Sequence, residues 1–177
     1  EELSLAAGVE KDTDQGVALM RASAKQGFSK ARFTLGSVLL SGKAGVEKDI
    51  ETGISLLRTA AAQEEPMAQW LLAQLYLVGR FGIDKDVDKG LKLLQQAAEN
   101  GDPKAQWRLA NIYFAGQFGV EKDILKSYAW AHIAATHGDE QSKQGKEILK
   151  KRLTPEQLAK AEAMVKEMIE KNPKLLK

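Results

Sequence analysis

Hydrophobic positions recur at helical spacing after each of several aspartates in the chain. In one such stretch, Val87, Leu91, Leu94 and Ala98 follow one another at steps of four, three and four residues. This spacing places them on one face of an α-helix. The residues between them are mostly polar or charged and fall on the opposite face. The pattern therefore predicts an amphipathic helix whose apolar side is buried.

A five-residue segment precedes each of these helices at constant spacing. GVEKD begins at residues 8, 45 and 119, and the variant GIDKD begins at residue 82, so the four copies lie 37 residues apart. The aspartate that ends each copy is predicted to be the N-cap of the helix, because its carboxylate can accept a hydrogen bond from the first turn. These residues are Asp12, Asp49, Asp86 and Asp123. The regular interval predicts stacked units of secondary structure.

A second helix is predicted in each unit. Pro66 and Pro103 stand near its start, where the missing backbone N–H does no harm. Glycine marks its end at Gly42, Gly79 and Gly116. Small residues recur near its middle, at Gly36, Ala73 and Ala110. We expect these small residues to let a neighbouring helix approach closely.

The combined pattern resembles the Sel1-like repeat, a relative of the tetratricopeptide repeats. The residues that carry the resemblance are Ala31, Leu35, Gly36, Gly42, Gly45, Val46 and Asp49 in one unit and Ala105, Leu109, Tyr113, Gly116, Gly119, Val120 and Asp123 in another. The resemblance covers residues 8 to 138. It implies an all-α fold, a right-handed α-solenoid of about nine helices stacked as antiparallel pairs. The chain departs from the family pattern at Leu39, where a tyrosine is usual, and at Glu64, where the other units have glycine.

One continuous domain is expected, with repeats over residues 1–138 and a degenerate last helix and a capping helix over residues 139–177. In the fourth unit Leu125 and Ile133 replace polar or small residues of the earlier units, so this face should be covered. A capping box from Thr154 to Gln157 predicts a capping helix over residues 155 to about 171.

The first unit lacks its leading helix, so the stack has a bare N-terminal end in the sequence. An upstream repeat, a partner or a second copy of this chain is expected to cover it. Self-association through this uncapped repeat is therefore one of the expected interactions.

The amino-acid composition says little about the cellular compartment of the protein. The chain has 177 residues, no cysteine and a net charge of +2, so disulfides and thiolate metal sites are excluded. No apolar run approaches the roughly 20 residues that cross a bilayer. The opening EELSL is not an intact secretory signal, and we expect a mature product or an excised fragment. The compartment stays unknown, and the family resemblance alone favours a bacterial periplasmic or secreted setting.

The sequence contains no pattern that points to catalysis. His132 and His137 are the only histidines, and on a helix five positions apart they point in different directions. The i, i+4 pair that binds zinc is therefore absent, as is a glycine-rich phosphate loop. We expect no enzymatic activity, no metal and no cofactor.

Binding of nucleic acid or an anionic surface is the alternative to protein binding. Residues 143–177 contain ten basic and five acidic side chains. The candidate contacts are Lys143, Lys146, Lys150, Lys151 and Arg152. A solvated helix face is the simpler interpretation of this segment, and a net charge near zero disfavours nucleic acid as the partner.

The family resemblance implies that the second helix of each unit lines a concave groove that holds a segment of another protein. At about 100° per residue, the positions not needed for the core can be identified on each helix. The predicted groove residues are Lys30, Phe33, Thr34, Ser37, Met67, Trp70, Leu71, Gln74, Lys104, Trp107, Arg108 and Asn111. The aromatic members have two open interpretations, packing between repeats and contact with the partner. We expect a scaffold or adaptor that uses aromatic contacts and amide hydrogen bonds.

Overall fold

The computed structural model describes residues 15–43 and 45–176. All regular structure in this part of the chain is helical. In chain order the elements are α1 (15–25), α2 (Ser29–Ser41), α3 (Ile50–Ala62), α4 (Pro66–Val78), α5 (Val87–Glu99), α6 (Pro103–Ala115), α7 (Ile124–Thr136), α8 (Glu140–Lys150), α9 (Pro155–Lys171) and a 3₁₀ turn (Pro173–Leu176). Among these helices, none combines the length and the apolar character that a membrane crossing requires.

The helices stack as consecutive pairs. Helix α2 packs against α3, α4 against α5 and α6 against α7. Contacts of α3 with α4 and of α5 with α6 join one pair to the next, and both α8 and α9 pack on α7. The predicted α-solenoid is confirmed, and the repeated segment lies at the turn between the two helices of each pair.

The repeated aspartates are N-caps, as predicted. The carboxylate of Asp49 accepts a hydrogen bond from the backbone N–H of Thr52 at 3.0 Å, and Asp86 accepts from that of Lys89 at 3.0 Å. Asp123 accepts from the N–H groups of Leu125 and Lys126 at 3.0 and 2.9 Å. Each bond satisfies a donor that has no partner within the first turn of a helix. The remaining copy, at Asp12, lies outside the described residues.

Helices α2, α4 and α6, the first helices of the structural pairs, are called the leading helices below. Each of them ends at a glycine whose backbone is left-handed. Gly42, Gly79 and Gly116 have φ of 67°, 78° and 68°, and each donates its N–H back to a carbonyl of the last turn. Glycine adopts this conformation without the penalty that a Cβ would impose. In the turns that follow, Phe81 and Phe118 also have positive φ, at 55° and 58°.

The two helices of a pair approach closely where small residues face each other. A Cβ added to Gly53 of α3 would lie 3.0 Å from the carbonyl oxygen of Gly36 in α2, and one added to Gly36 would lie 2.9 Å from the Gly53 oxygen. In the next pair a Cβ on Gly90 would lie 2.7 Å from Cγ of Leu77. Small size at these positions is therefore a packing requirement.

The C-terminal end of the stack is covered by α9. The predicted capping box is present, since Gln157 N–H donates to the Thr154 hydroxyl and the Gln157 side chain accepts from Thr154 N–H. Ala161 and Val165 of α9 are buried in the same core cluster as Ile133 of α7, which is fully buried. The prediction that an additional helix covers α7 is confirmed.

A column of polar side chains, unforeseen in the sequence, ties each leading helix to the end of the helix before it. Its members, Arg32, Gln69 and Gln106, lie 37 residues apart and donate to carbonyl groups eight residues earlier. We call them the amide column, after the two glutamines. The bonds are Arg32 Nε to Ala24 O at 3.1 Å, Gln69 Nε2 to Ala61 O at 3.3 Å and Gln106 Nε2 to Ala98 O at 3.1 Å.

A second set of bonds links the amide column along the stack. Arg32 Nη1 donates to Gln63 Oε1 at 2.9 Å, and Asn100 Nδ2 donates to Gln69 Oε1 at 3.1 Å. Each of these pairs spans 31 residues. The column is therefore linked along the stack by one exposed and one partly buried hydrogen bond.

The C-terminal 3₁₀ turn completes the last link of this column. The carbonyl of Leu175 accepts from Gln106 Nε2 at 2.9 Å and lies 3.1 Å from Nε2 of His137, which is 31 residues after Gln106. Leu175 is 2% exposed, and Asn172 Nδ2 donates to the carbonyl of Glu99 at 2.7 Å. The end of the described chain thus packs against α5 and α7, the helices that follow the repeated aspartates.

Candidate functional site

A groove of about 730 Å³ lies between α4, α6 and the start of α8. Six of the twelve predicted groove residues line it: Trp70, Gln74, Lys104, Trp107, Arg108 and Asn111. Pro103, Asp139, Gln141 and Ser142 complete the lining. The leading helices thus bring a set of aromatic, amide and charged side chains to one concavity, and residues 155–176 contribute nothing to its lining.

The two tryptophans of the groove also pack between repeats. Trp70 and Trp107 are partly buried, and both pack against the largest core cluster. Trp107 lies directly over Gly145 of α8, where a Cβ would overlap the indole ring. Lys104 Nζ lies 5.2 Å from the centroid of the Trp70 ring, a cation–π geometry. Each ring therefore has one face in the seam between units and lines the groove as well.

Polar atoms without partners lie in the groove wall. Gln74 Nε2 and Arg108 Nε are buried and have no hydrogen-bond partner among the described residues. Asn111 Nδ2, in contrast, donates to the carbonyl of Trp107 in its own helix at 2.9 Å. Two donors of the wall therefore lack an acceptor among the described residues, and burial without a partner is costly for such groups.

The lining of the groove carries two cations, Lys104 and Arg108, and one carboxylate, Asp139. Asp139 is the N-cap of α8, and its Oδ2 accepts from both the N–H and the hydroxyl of Ser142 at 2.7 Å. The Ser142 hydroxyl bond lowers the pKa of Asp139, so this carboxylate is charged at neutral pH and is already engaged. Lys104 and Arg108 form no ion pair within the described residues. The groove therefore favours acceptor groups and negative charge on a ligand.

The other six predicted residues lie outside this cavity. Lys30, Thr34 and Met67 are exposed, and the Thr34 hydroxyl donates to the carbonyl of Lys30. Phe33 and Leu71 are partly buried and pack against the core cluster between the α2–α3 pair and the α4–α5 pair. Their role as groove residues stays a prediction, as does that of Ser37.

Sequence reasoning missed the contribution of α8 to the groove. The 37-residue period places Gln141 in register with Lys104 and Ser142 in register with Ala105. Ser142 is 1% exposed, as expected for a position that is alanine in the earlier units. Other residues of this segment depart from the repeat pattern. Only the 37-residue spacing could therefore have predicted that these two side chains line the groove.

His132 and one residue of the basic segment make contacts within the chain. Nδ1 of His132 lies 3.5 Å from the Tyr128 hydroxyl, and burial lowers the pKa of His132. In the basic segment, Lys146 forms an ion pair with Glu147 at 3.5 Å. Within the described residues, no group of three or more histidine or carboxylate side chains is arranged to hold a metal ion.

Comparisons with known proteins agree on one repeat family. The family model of the Sel1 repeat matches residues 3–28, 29–64, 66–102 and 103–139. The boundaries between these matches fall between helix pairs, so that one unit corresponds to α2 with α3, the next to α4 with α5 and the next to α6 with α7. A search of curated proteins gives no significant match.

Two solved structures show the same architecture. One is a protective antigen present in uropathogenic Escherichia coli strains that displays an SLR fold, with 30% sequence identity and a TM-score of 0.75. The match covers 92% of this chain but 34% of the antigen, so this chain spans about a third of that protein's length. The other is a Sel1 repeat protein from Oxalobacter formigenes, with 32% identity and a TM-score of 0.66, covering 75% of this chain and 98% of that one.

Proposed function

This chain belongs to the Sel1 repeat family, whose members are generally scaffolds for protein–protein interaction, and from that premise we propose that it binds a segment of another protein in the groove between α4, α6 and α8. The observation that supports this most is the placing of Gln74 and Arg108, two buried donors without partners among the described residues, in the wall of a cavity flanked by tryptophan. Partly buried aromatic and arginine side chains are the residue types enriched at interface hot spots.

The proposed role is non-catalytic, as is typical of the family. The bacterial origin of both solved relatives supports a bacterial setting. A narrower setting, in an envelope, secretion or stress-signalling assembly, stays a prediction from the family resemblance. Self-association through the N-terminal end of the stack also stays a prediction, since most of that end lies outside the described residues.

The groove is tested with a partner identified by affinity capture and then purified. The double variant Arg108→Ala, Asn111→Ala should bind it at least about tenfold more weakly, because truncation of a buried hot-spot side chain costs about 2 kcal/mol or more. The matched control is Lys92→Ala, Gln96→Ala, which removes one cation and one amide from the exposed side of α5. Circular dichroism melting checks that both variants keep the fold. Equal affinity of the two double variants would contradict the groove assignment.

Salt dependence distinguishes this function from the binding of phosphate groups by the basic C-terminal segment. Contacts to a nucleic-acid backbone lose affinity steeply as salt rises. The groove, which combines two cations with tryptophan and amide groups, should lose less than a surface that contacts several phosphates. A steep salt dependence that disappears in Lys150→Ala, Lys151→Ala, with no effect of the groove variant, would favour the alternative.

A further inference from the structure

A small second cavity opens beside the groove, between α6, α7 and α8. Its volume is about 170 Å³, and it shares Trp107 and Asn111 with the groove. Phe114, Ser127 and Ile148 form much of the remaining wall. The two cavities are therefore adjacent, and a chain lying in the groove could place one side chain in the smaller cavity.

A departure from the repeat explains the cavity at the crossing of α6 and α7. The helix crossing that uses Gly53 and Gly90 in the earlier pairs has Ser127 at the equivalent position. In those pairs a leucine covers the glycine: Leu40 lies 3.1 Å from a Cβ built on Gly53, and Leu77 lies 2.7 Å from one built on Gly90.

At the third crossing the covering residue is displaced. Phe114 occupies the register of Leu40 and Leu77, but it is 39% exposed, whereas the leucines are 5% and 2% exposed. The side chain of Ser127 takes space that glycine leaves free, and the larger Phe114 ring cannot lie over it as leucine does. The exchange of two residues thus converts a closed crossing into a pocket.

The pocket has the size and lining for one aromatic side chain. An apolar cavity of about 150 Å³ is large enough to bind benzene. Phe114 and Ile148, at 39% and 55% exposed, place apolar surface at its edge. The Ser127 hydroxyl is fully buried and has no hydrogen-bond partner among the described residues. An occupant that carries a polar group at its tip would satisfy this hydroxyl, and tyrosine has this chemistry.

The charge around the pocket selects for an acidic occupant. The Arg152 guanidinium lies 5.1 Å from the centroid of the Phe114 ring. On the groove side, the positive charges of Lys104 and Arg108 outnumber the single negative charge of Asp139. Positive groups thus flank the pocket on two sides, and carboxylates on either side of the anchoring residue would complement them.

We propose that the pocket between α6, α7 and α8 anchors a single tyrosine side chain of an acidic partner segment, with carboxylates next to the tyrosine meeting Arg108 and Arg152. This inference rests on the proposed function, because it assigns the segment that the groove holds. In the bound state the tyrosine hydroxyl exchanges a hydrogen bond with Ser127, and Phe114 packs against the ring.

The test uses short capped peptides and the full chain. One peptide has tyrosine between two pairs of glutamates, and three matched peptides have phenylalanine or alanine in place of tyrosine, or lysines in place of the glutamates. The alanine and lysine peptides should bind at least about tenfold more weakly than the tyrosine peptide, as expected for loss of an anchor or of charge complementarity. The phenylalanine peptide should bind about two- to tenfold more weakly, the effect of one hydrogen bond.

Variants locate the binding. Ser127→Ala should abolish the preference for tyrosine over phenylalanine, and Phe114→Ala should weaken both peptides, while Val78→Ala, an exposed apolar side chain on α4, should change neither. Backbone amide shifts of Gly145 and Ile148 on addition of peptide should report the pocket directly. Loss of the fold in Ser127→Ala would be detected by its amide spectrum, and Phe114→Ala, at an exposed position, then provides the test.

Several outcomes would overturn the pocket assignment and leave the groove standing. One is equal affinity for the tyrosine and alanine peptides with a loss of both in Arg108→Ala. Another is equal affinity for the acidic and basic peptides. If none of the peptides binds, the assigned occupant is wrong, and the groove itself is judged separately by the purified partner and the Arg108, Asn111 variant.

Discussion

At the scale of single residues, three residues other than glycine in the described part of the chain have a backbone in the left-handed region. Glu64, Phe81 and Phe118 have φ of 59°, 55° and 58°. This region costs a residue with a Cβ about 1–2 kcal/mol. The two phenylalanines are partly buried against neighbouring core clusters, which offsets the cost. Glu64 is exposed, and its only described side-chain contact is with Lys174 Nζ at 3.5 Å.

Glu64→Gly should therefore raise the free energy of unfolding by about 1 kcal/mol. The equivalent position of the fourth unit provides the reciprocal change, since Gly138 has φ of 89° and open space around it. Gly138→Glu should lower the free energy of unfolding by a similar amount. Urea denaturation followed by circular dichroism measures both. A neutral or destabilising Glu64→Gly would show that the turn is not strained at this residue.

At the scale of the helix, α8 keeps its place in the stack through a position that departs from the repeat. Gly145 is in register with Thr34, Leu71 and Arg108 of the earlier leading helices. Glycine inside a helix is unfavourable by about 1 kcal/mol relative to alanine. The reason for its presence is the indole of Trp107, which lies where a Cβ would project. The segment that the sequence marked as degenerate is thus fitted to its neighbour.

Gly145→Ala should destabilise the protein in spite of the better helix propensity of alanine. The control is Gly16→Ala in α1, where a Cβ meets nothing within 4 Å, and where the free energy of unfolding should rise by about 0.5–1 kcal/mol. Thermal unfolding shows whether each substitution raises or lowers the stability, and tryptophan fluorescence reports the displacement of Trp107. If both substitutions stabilise, the contact between Trp107 and α8 is looser than the structure shows.

At the scale of the whole molecule, the 37-residue period predicted the stacked units and their N-caps, and a capping box outside the period predicted the C-terminal covering helix. The predicted bounds of that helix agree with α9, because proline and a capping box fix its start. The amide column was missed because the hydrophobic pattern assigns polar residues to the exposed face of a helix, whereas Gln69 and Gln106 are buried. The docking of Leu175 was missed because it lies beyond the last repeat and has no partner position in the register.

The groove could be predicted in part. The angular positions of Trp70, Trp107, Arg108 and Asn111 follow from the helix period, and the structure brings them to one cavity. The pocket below Phe114 could not be foreseen in the same way, since it depends on the size of Ser127 relative to glycine at a helix crossing. The effect of serine in place of glycine can be predicted only when the side chains that face it are known.

The docked tail should contribute to the stability of the entire array. Leu175→Ala should lower the free energy of unfolding by about 2–5 kcal/mol, the range for truncation of a buried leucine. Leu176 provides the matched control, because it is 45% exposed, and Leu176→Ala should change the free energy by no more than about 0.5 kcal/mol. Urea denaturation compares the two. Equal small effects would mean that the tail does not hold the last unit.

The carbonyl of Leu175 makes the last contact in a series that joins each unit to its neighbour. This contact restricts where a further repeat could be added. A duplicated unit inserted ahead of α6 would find the same donors and acceptors on both sides. A unit added after α7 would compete with the terminal segment for Gln106 and His137. An insertion ahead of α6 should therefore leave the docking of residues 172–176 unchanged, whereas a unit placed directly after α7 should displace it.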